Sequence, residues 1–184
     1  MRTLLIVVVA TLSLSSCSGR THGDTFTEQY LNALREIPAE PFATPEALAR
    51  FEAVFHNLTS DGLTAHIQAA YAEELFFNDT LHTFASRAEL QEYLGRTGER
   101  LQHMEVRILG WSRQDNEFYV RWLMNTGYRV MGRDRDVTTV GMTHLRFDSE
   151  GRIAMHQDFW DSTQGLYEQI PLLGGVLRWI RGRL

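Results

Sequence analysis

The sequence predicts a single α+β domain, and three observations carry that prediction. In the first half, apolar residues recur at helix-face spacing, most clearly Leu48, Phe51, Phe55 and Leu58. From about Met104 the period falls to two and stays there through four long segments ending at Trp160. Between the halves stands Ser86-Arg87-Ala88-Glu89, which has the spacing of a helix capping box. Helices first and consecutive strands afterwards is the pattern of an α+β fold. At 184 residues, 43% apolar and 22% charged, the chain can bury one real core. Its net charge of −5 and lack of any basic run exclude nucleic acid as a partner. All 18 basic residues are arginine, so Schiff-base chemistry on a lysine is excluded as well.

Residues 1–17 read as a processing segment. Arg2 precedes an apolar run, Thr3–Leu14, that is short for a membrane span. The single cysteine, Cys17, closes Leu14-Ser15-Ser16-Cys17, so no intramolecular disulfide is available. Residues 18–43 read as a tether. Phe26, Tyr30, Leu34 and Ile37 within it have helical spacing and suit a short helix. Residues 44–161 form the domain. Thr44, Pro45 and Glu46 have the chemistry of a helix start. A second helix follows Asp61-Gly62 with Leu63, Ile67, Ala70 and Tyr71 inward, Glu73–Asn78 reads as a strand, and Ser86 opens a helix to about Leu101. The four long strands are Met104–Ser112, Phe118–Met131, Val137–Phe147 and Arg152–Trp160.

The last two strands join through Asp148-Ser149-Glu150-Gly151, a type I turn whose glycine accepts positive φ. Pairing Asp148 with Arg152 and extending that register sets Leu145 opposite Met155 and Phe147 opposite Ile153 on an apolar face that also holds Phe159. The other face then places His144 opposite His156, with Asp158 on the diagonal. A one-residue slip separates the histidines.

The helices, short strand, helix and meander of residues 44–161 resemble the nuclear transport factor 2-like superfamily, and within it the SnoaL-like proteins. The most specific piece is Gly151-Arg152-Ile153 followed by His156-Gln157-Asp158-Phe159-Trp160-Asp161. The resemblance implies a sheet curled into a cone, closed by the N-terminal helices around one pocket. It implies a pocket carboxylate at Asp158 and, by analogy with polyketide cyclases, acid–base partners in His156 and His144. Asn78 matches part of the epoxide hydrolase pattern, but Phe76 stands where those enzymes have tyrosine. Arg121-Trp122-Leu123 lacks their aspartate, so isomerase or cyclase chemistry is the nearer expectation. Leu14–Cys17 is similar to the lipobox of bacterial lipoproteins, which implies acylation of Cys17 and a place on the periplasmic face of the envelope, in the outer membrane.

The candidate catalytic group is therefore Asp158, His156 and His144, with Asn78, Phe76, Tyr119, Arg121, Trp122 and Trp160 as candidate ligand contacts. The two histidines and Asp158 imitate a metal triad without its usual sequence context, and neither metal nor cofactor is expected. The leading partner is an apolar small molecule, of lipid or polyketide type; the competing reading is a non-catalytic envelope accessory. The apolar sheet face suggests a homodimer. Residues 162–184 lie beyond the resemblance. There Leu173, Val176, Leu177, Ile180 and Leu184 form a stripe beside Trp179 and three arginines, suited to a membrane interface or to packing on the domain.

Overall fold

A computed structural model describes residues 25–41, 45–56, 58 and 62–184; Cys17 and Thr44 lie outside the described residues. Helices α1 (Phe26–Glu36), α2 (Pro45–His56) and α3 (Leu63–Ala70) precede strands β1 (Tyr71–Asn78) and β2 (Thr83–Ser86). Helix α4 (Arg87–Arg100) leads into β3 (Leu101–Gln114), β4 (Glu117–Val130), β5 (Arg133–Phe147) and β6 (Ile153–Trp160). The chain ends in α5 (Ser162–Gly165), a 3-10 turn (Tyr167–Gln169) and α6 (Leu173–Arg181). The strands form one curved six-stranded sheet in the order β2-β1-β6-β5-β4-β3. β3 to β6 are the antiparallel meander that the period-two pattern predicts, while β1 runs parallel to β6 and makes the sheet mixed.

Local signals place the helices. Ser86 accepts from Glu89 N while the Glu89 carboxylate accepts from Ser86 N, so the expected capping box opens α4. Helices α2 to α4 cover the inner face of the sheet, where Phe51, Val54, Ile67 and Leu90 pack with Val120, Leu145, Phe147 and Ile153. Each such side chain, taken out of water, contributes about 1.5–3 kcal/mol.

The span expected as a tether contains a packed element. Thr25 and Glu28 form a second capping box, which starts α1. This helix lies on the outer face of the sheet. Arg146, on β5, donates from Nη1 to the carbonyls of Leu34 at 2.9 Å and Ile37 at 2.6 Å, satisfying the end of α1. Asn116 then holds the following segment through the Ala39 carbonyl. The folded body thus begins before residue 44, and α1 lies over part of the outer sheet face, around His144 and Arg146.

The β5–β6 turn forms as the sequence predicts, with Gly151 at φ +75° and Asp148 N bonded to the Arg152 carbonyl. The register beyond it does not. Phe147 pairs with Ile153, but a shift between Arg146 and Phe147 then pairs Arg146 with Met155, Leu145 with His156 and His144 with Gln157. The irregularity inserts one residue, Ala154, and every later side chain of β6 changes face relative to the expectation. His144 and His156 consequently lie on opposite faces. The expected apolar face is also divided: Leu145, Phe147 and Ile153 enter the core, whereas Met155 and Phe159 lie outside.

Candidate functional site

On the inner face the shifted register sets His156 and Asp158 side by side. His156 is 1% exposed and ringed by Phe51, Phe55, Tyr71 and Phe77, with centroid distances of 4.5–6.0 Å. Its Nε2 lies 2.9 Å from Asp158 Oδ1, and its Nδ1 lies 2.8 Å from the Tyr71 hydroxyl. A carboxylate only accepts, so Nε2 carries a hydrogen toward Asp158, and the Tyr71 hydroxyl is placed to donate to Nδ1. Burial, reinforced by the charge of Asp158, pushes the Tyr71 hydroxyl well above its ordinary range, so it remains a donor. Thr143 Oγ1 donates to the same Asp158 oxygen at 2.5 Å, and Trp122 Nε1 donates to Thr143 Oγ1 at 2.8 Å. Trp122 can lie there because Gly141 pairs with it; a Cβ at that glycine would meet the indole ring at 2.3 Å. Both bonds to Asp158 fall on Oδ1, which leaves Oδ2 for whatever occupies the space beside it.

That space is a cavity of about 460 Å³. Phe77, Leu94, Met104 and Met124 supply apolar wall, while Asp158, His156 and Thr143 make one polar patch. Trp160 lines it too, held by its indole N–H to the Asp79 carbonyl. The exposed residues Arg100 and Arg129 also line it, as do Gly165 and Leu166 from the C-terminal segment. Asp79 also borders the cavity, but its carboxylate already accepts from Tyr93 Oη and from the backbone of Leu81 and His82. An apolar enclosure with a few converging polar groups is the usual form of a small-molecule site.

The remaining candidates lie elsewhere. Asn78 is fully buried, but it bonds Thr83, Thr80 N and Gln157, tying the β1–β2 turn to β6. Phe76 pairs with Met155 on the outer face, and it is Phe77, paired with His156, that enters the cavity. Arg121 and Tyr119 are also outside, across from Met142 and His144. His144 is fully buried beneath α1: Nδ1 shares a hydrogen bond of 3.0 Å with the Tyr30 hydroxyl, and Tyr119 stacks on the ring at 4.6 Å. Its Nε2 is 3.1 Å from Glu117 Oε2 but too poorly aligned for a hydrogen bond. Glu117 is matched instead by Arg146 and by the Tyr119 hydroxyl at 2.9 Å. Burial, against the pull of Glu117, holds His144 below its ordinary value. The Tyr119 hydroxyl is raised to about 12 by burial and by its bond to Glu117.

The structure therefore brings together Asp158, His156, Trp122 and Trp160 and separates them from the other five. Sequence reasoning missed Tyr71 and Thr143. Tyr71 closes an apolar helical series and begins a strand, so periodicity alone assigned it to helix core. Thr143 becomes a neighbour of Asp158 only in the shifted register.

The SnoaL-like domain model matches residues 50–156. No curated protein matches the chain. Among solved structures, a candidate SnoaL-like polyketide cyclase from Shewanella denitrificans superposes with a TM-score of 0.56 at 15% identity, covering 66% of this chain and 95% of that one. An NTF2-like protein of unknown function from an Exiguobacterium species gives 0.54 at 17% identity, covering 64% and 99%. An LEH-like epoxide hydrolase from M. tuberculosis gives 0.51 at 15% identity, covering 65% and 83%. At such identities these likenesses show the shared cone fold, and activity is a matter for the site.

Proposed function

The chain belongs to the SnoaL-like family, and from that premise we propose that its cone binds an apolar small molecule of lipid or polyketide type and moves a proton on it. One observation carries the reading: of the two carboxylates that line the largely apolar cavity, Asp79 is taken up by Tyr93 and two backbone N–H groups, whereas Asp158 is held through Oδ1 alone. In this reading Asp158 Oδ2 takes a proton from an acidic C–H or O–H of the ligand and returns it at another position. His156 Nε2–H and Thr143 Oγ–H fix Oδ1 and keep the carboxylate aimed, while Tyr71 and Trp122 orient those two donors. The largely apolar walls lower the local dielectric, which strengthens each of these interactions. Chemistry of isomerase or cyclase type fits such a group.

Native mass spectrometry of the purified chain tests the binding: a retained small molecule is the expected result. Asp158→Asn should retain the same mass and fail to convert it, because the shape is kept and the proton acceptor is lost. A protein that carries nothing, and takes up no apolar fluorophore displaceable by lipid or polyketide-like compounds, removes the ligand reading. A carried ligand left unchanged by the wild type and Asp158→Asn alike supports the accessory reading, which also draws on the burial of His156 with both ring nitrogens occupied.

Location is part of the same proposal. Acylation of Cys17 would hold the protein on the periplasmic face of the outer membrane, since several acyl chains give the firm anchoring that one chain does not. Cys17→Ala should move the protein from the membrane fraction to the soluble one; its persistence in the membrane fraction would count against this anchor.

A further inference from the structure

The C-terminal helix carries the most exposed apolar surface among the described residues, and its orientation is fixed. The polar side of α6 is folded back on the preceding turn. Arg181 Nη1 meets Glu168 Oε1 at 2.7 Å, and Arg178 donates to the Glu168 carbonyl at 3.1 Å. Gly174 sits so close to that carbonyl that a Cβ would lie 1.9 Å from its oxygen, so only glycine permits the approach. With that side occupied, the opposite side points outward: Leu173, Val176, Trp179 and Ile180 are 41–59% exposed. Of the stripe that the sequence offered either to a membrane or to the domain, Leu177 is partly buried and the rest points outward.

A strained turn adds to the display. Leu172 has φ +68° and ψ −55°, and Leu173 N bonds the Pro171 carbonyl at 2.9 Å, which makes a γ-turn of the rare positive-φ kind. Leucine occupies that region only at a cost, and here the turn leaves the side chain 90% exposed. An element that merely ended the fold would need neither the strain nor the exposure.

We propose that Leu172 and the outer side of α6 seat in the interface of an anionic lipid bilayer. Charge complementarity selects this occupant. Residues 171–184 hold three arginines and no acidic residue, in a chain whose net charge is −5. The Arg183 guanidinium lies 3.7 Å from the centroid of the Trp179 ring, placing a cation and an amphipathic aromatic at the edge of the apolar side. At nine residues α6 cannot span a bilayer, and no helix among the described residues can, so it lies in the plane of the surface. The surface stands whether or not the cavity takes a ligand.

The test uses the full chain on vesicles of phosphatidylcholine and phosphatidylglycerol carrying brominated acyl chains, which quench only tryptophans in contact with them. Quenching is expected, and Trp179→Phe should lose most of it while Trp111, exposed on β3, serves as the control tryptophan. Val176→Glu with Ile180→Glu should also abolish quenching with the far-ultraviolet spectrum and melting midpoint unchanged, since both side chains point away from the domain. Neutral vesicles should give weaker quenching than anionic ones. Equal quenching in the wild type and Trp179→Phe, or none in the wild type, overturns the proposal. So does a dimer in light scattering that the double glutamate variant dissolves, which would give the face to a second copy.

Discussion

Two tyrosine–histidine–carboxylate groups sit on opposite faces of the same sheet, their histidines on the neighbouring strands β5 and β6. Inside are Tyr71, His156 and Asp158; outside are Tyr30, His144 and Glu117. In each, a tyrosine hydroxyl meets Nδ1 and a carboxylate oxygen stands near Nε2. Two differences separate their roles. The outer carboxylate, a quarter exposed, is matched by a permanent cation, Arg146, which also ties α1 to the sheet over the buried His144. The inner carboxylate has only hydrogen-bond donors around it and borders a cavity. The same three side-chain types therefore make a clamp on one face and a candidate reactive group on the other, and the counter-charge of Arg146 decides which.

The largest expected effect is on the clamp. Arg146→Met removes the partner of Glu117 and the donor to two helix-end carbonyls at once. Breaking a buried pair costs about 3–5 kcal/mol, and because a quarter of the Glu117 side chain is exposed, the low end of that range, about 3 kcal/mol, is expected from urea unfolding. Limited proteolysis should then cut within residues 25–41, while ligand retention by the cavity persists. Unchanged stability and protection would show that α1 is held by something other than Arg146.

A smaller pair of effects sharpens the comparison. Tyr71→Phe strips the donor from a ring nitrogen of the enclosed His156, and an unsatisfied buried acceptor costs about 1–3 kcal/mol. Tyr30→Phe removes the matching bond outside, but Tyr30 is only half-buried and water can replace its hydroxyl, so about 0.5–1 kcal/mol is expected. Equal losses in paired urea melts would mean that the two sites are equally enclosed. Asp158→Asn should stay within about 1 kcal/mol of wild type, because an amide oxygen still accepts from His156 and Thr143; a larger loss would mean that the charge of Asp158 holds the fold together.

These sites also show where sequence reasoning succeeds and stops. The α+β order, the capping box at Ser86, the Gly151 turn and the four long strands follow from local chemistry and were legible. The resemblance placed Asp158 in the pocket, where it lies. The pairing of His144 with His156 was not legible, because one extra residue at Ala154 inverts every face beyond it and Ile153-Ala154-Met155 reads as ordinary alternation. The same inversion logic applies to Phe76 and Phe77, adjacent residues of one type on opposite faces. Thr25-x-x-Glu28 is a capping signal in plain view, but without the sheet beneath it nothing marked α1 as packed rather than loose.

The smallest effect is the pH dependence of the clamp, which follows from the two shifted groups beneath α1. His144 is held below its ordinary 6.5, chiefly by burial, with Glu117 opposing and Arg146 adding to the shift. A folded state that binds this proton less readily than the unfolded chain loses stability as pH falls from about 6.5 toward the folded value. Glu117 is held below its ordinary 4.5: burial opposes this, but the bonds from Arg146 and Tyr119 outweigh it. Its stabilisation is complete above 4.5 and is lost as pH falls through the lower folded value. Urea midpoints measured across this range should therefore decline in two stages, a shallow one beginning below pH 6.5 and a second below 4.5. His144→Gln should remove the first stage, because glutamine does not titrate, and Arg146→Met should weaken the second by removing the chief group that lowers Glu117. If the first stage survives His144→Gln unchanged, the buried outer histidine is not its source and the two faces are less distinct than their geometry makes them.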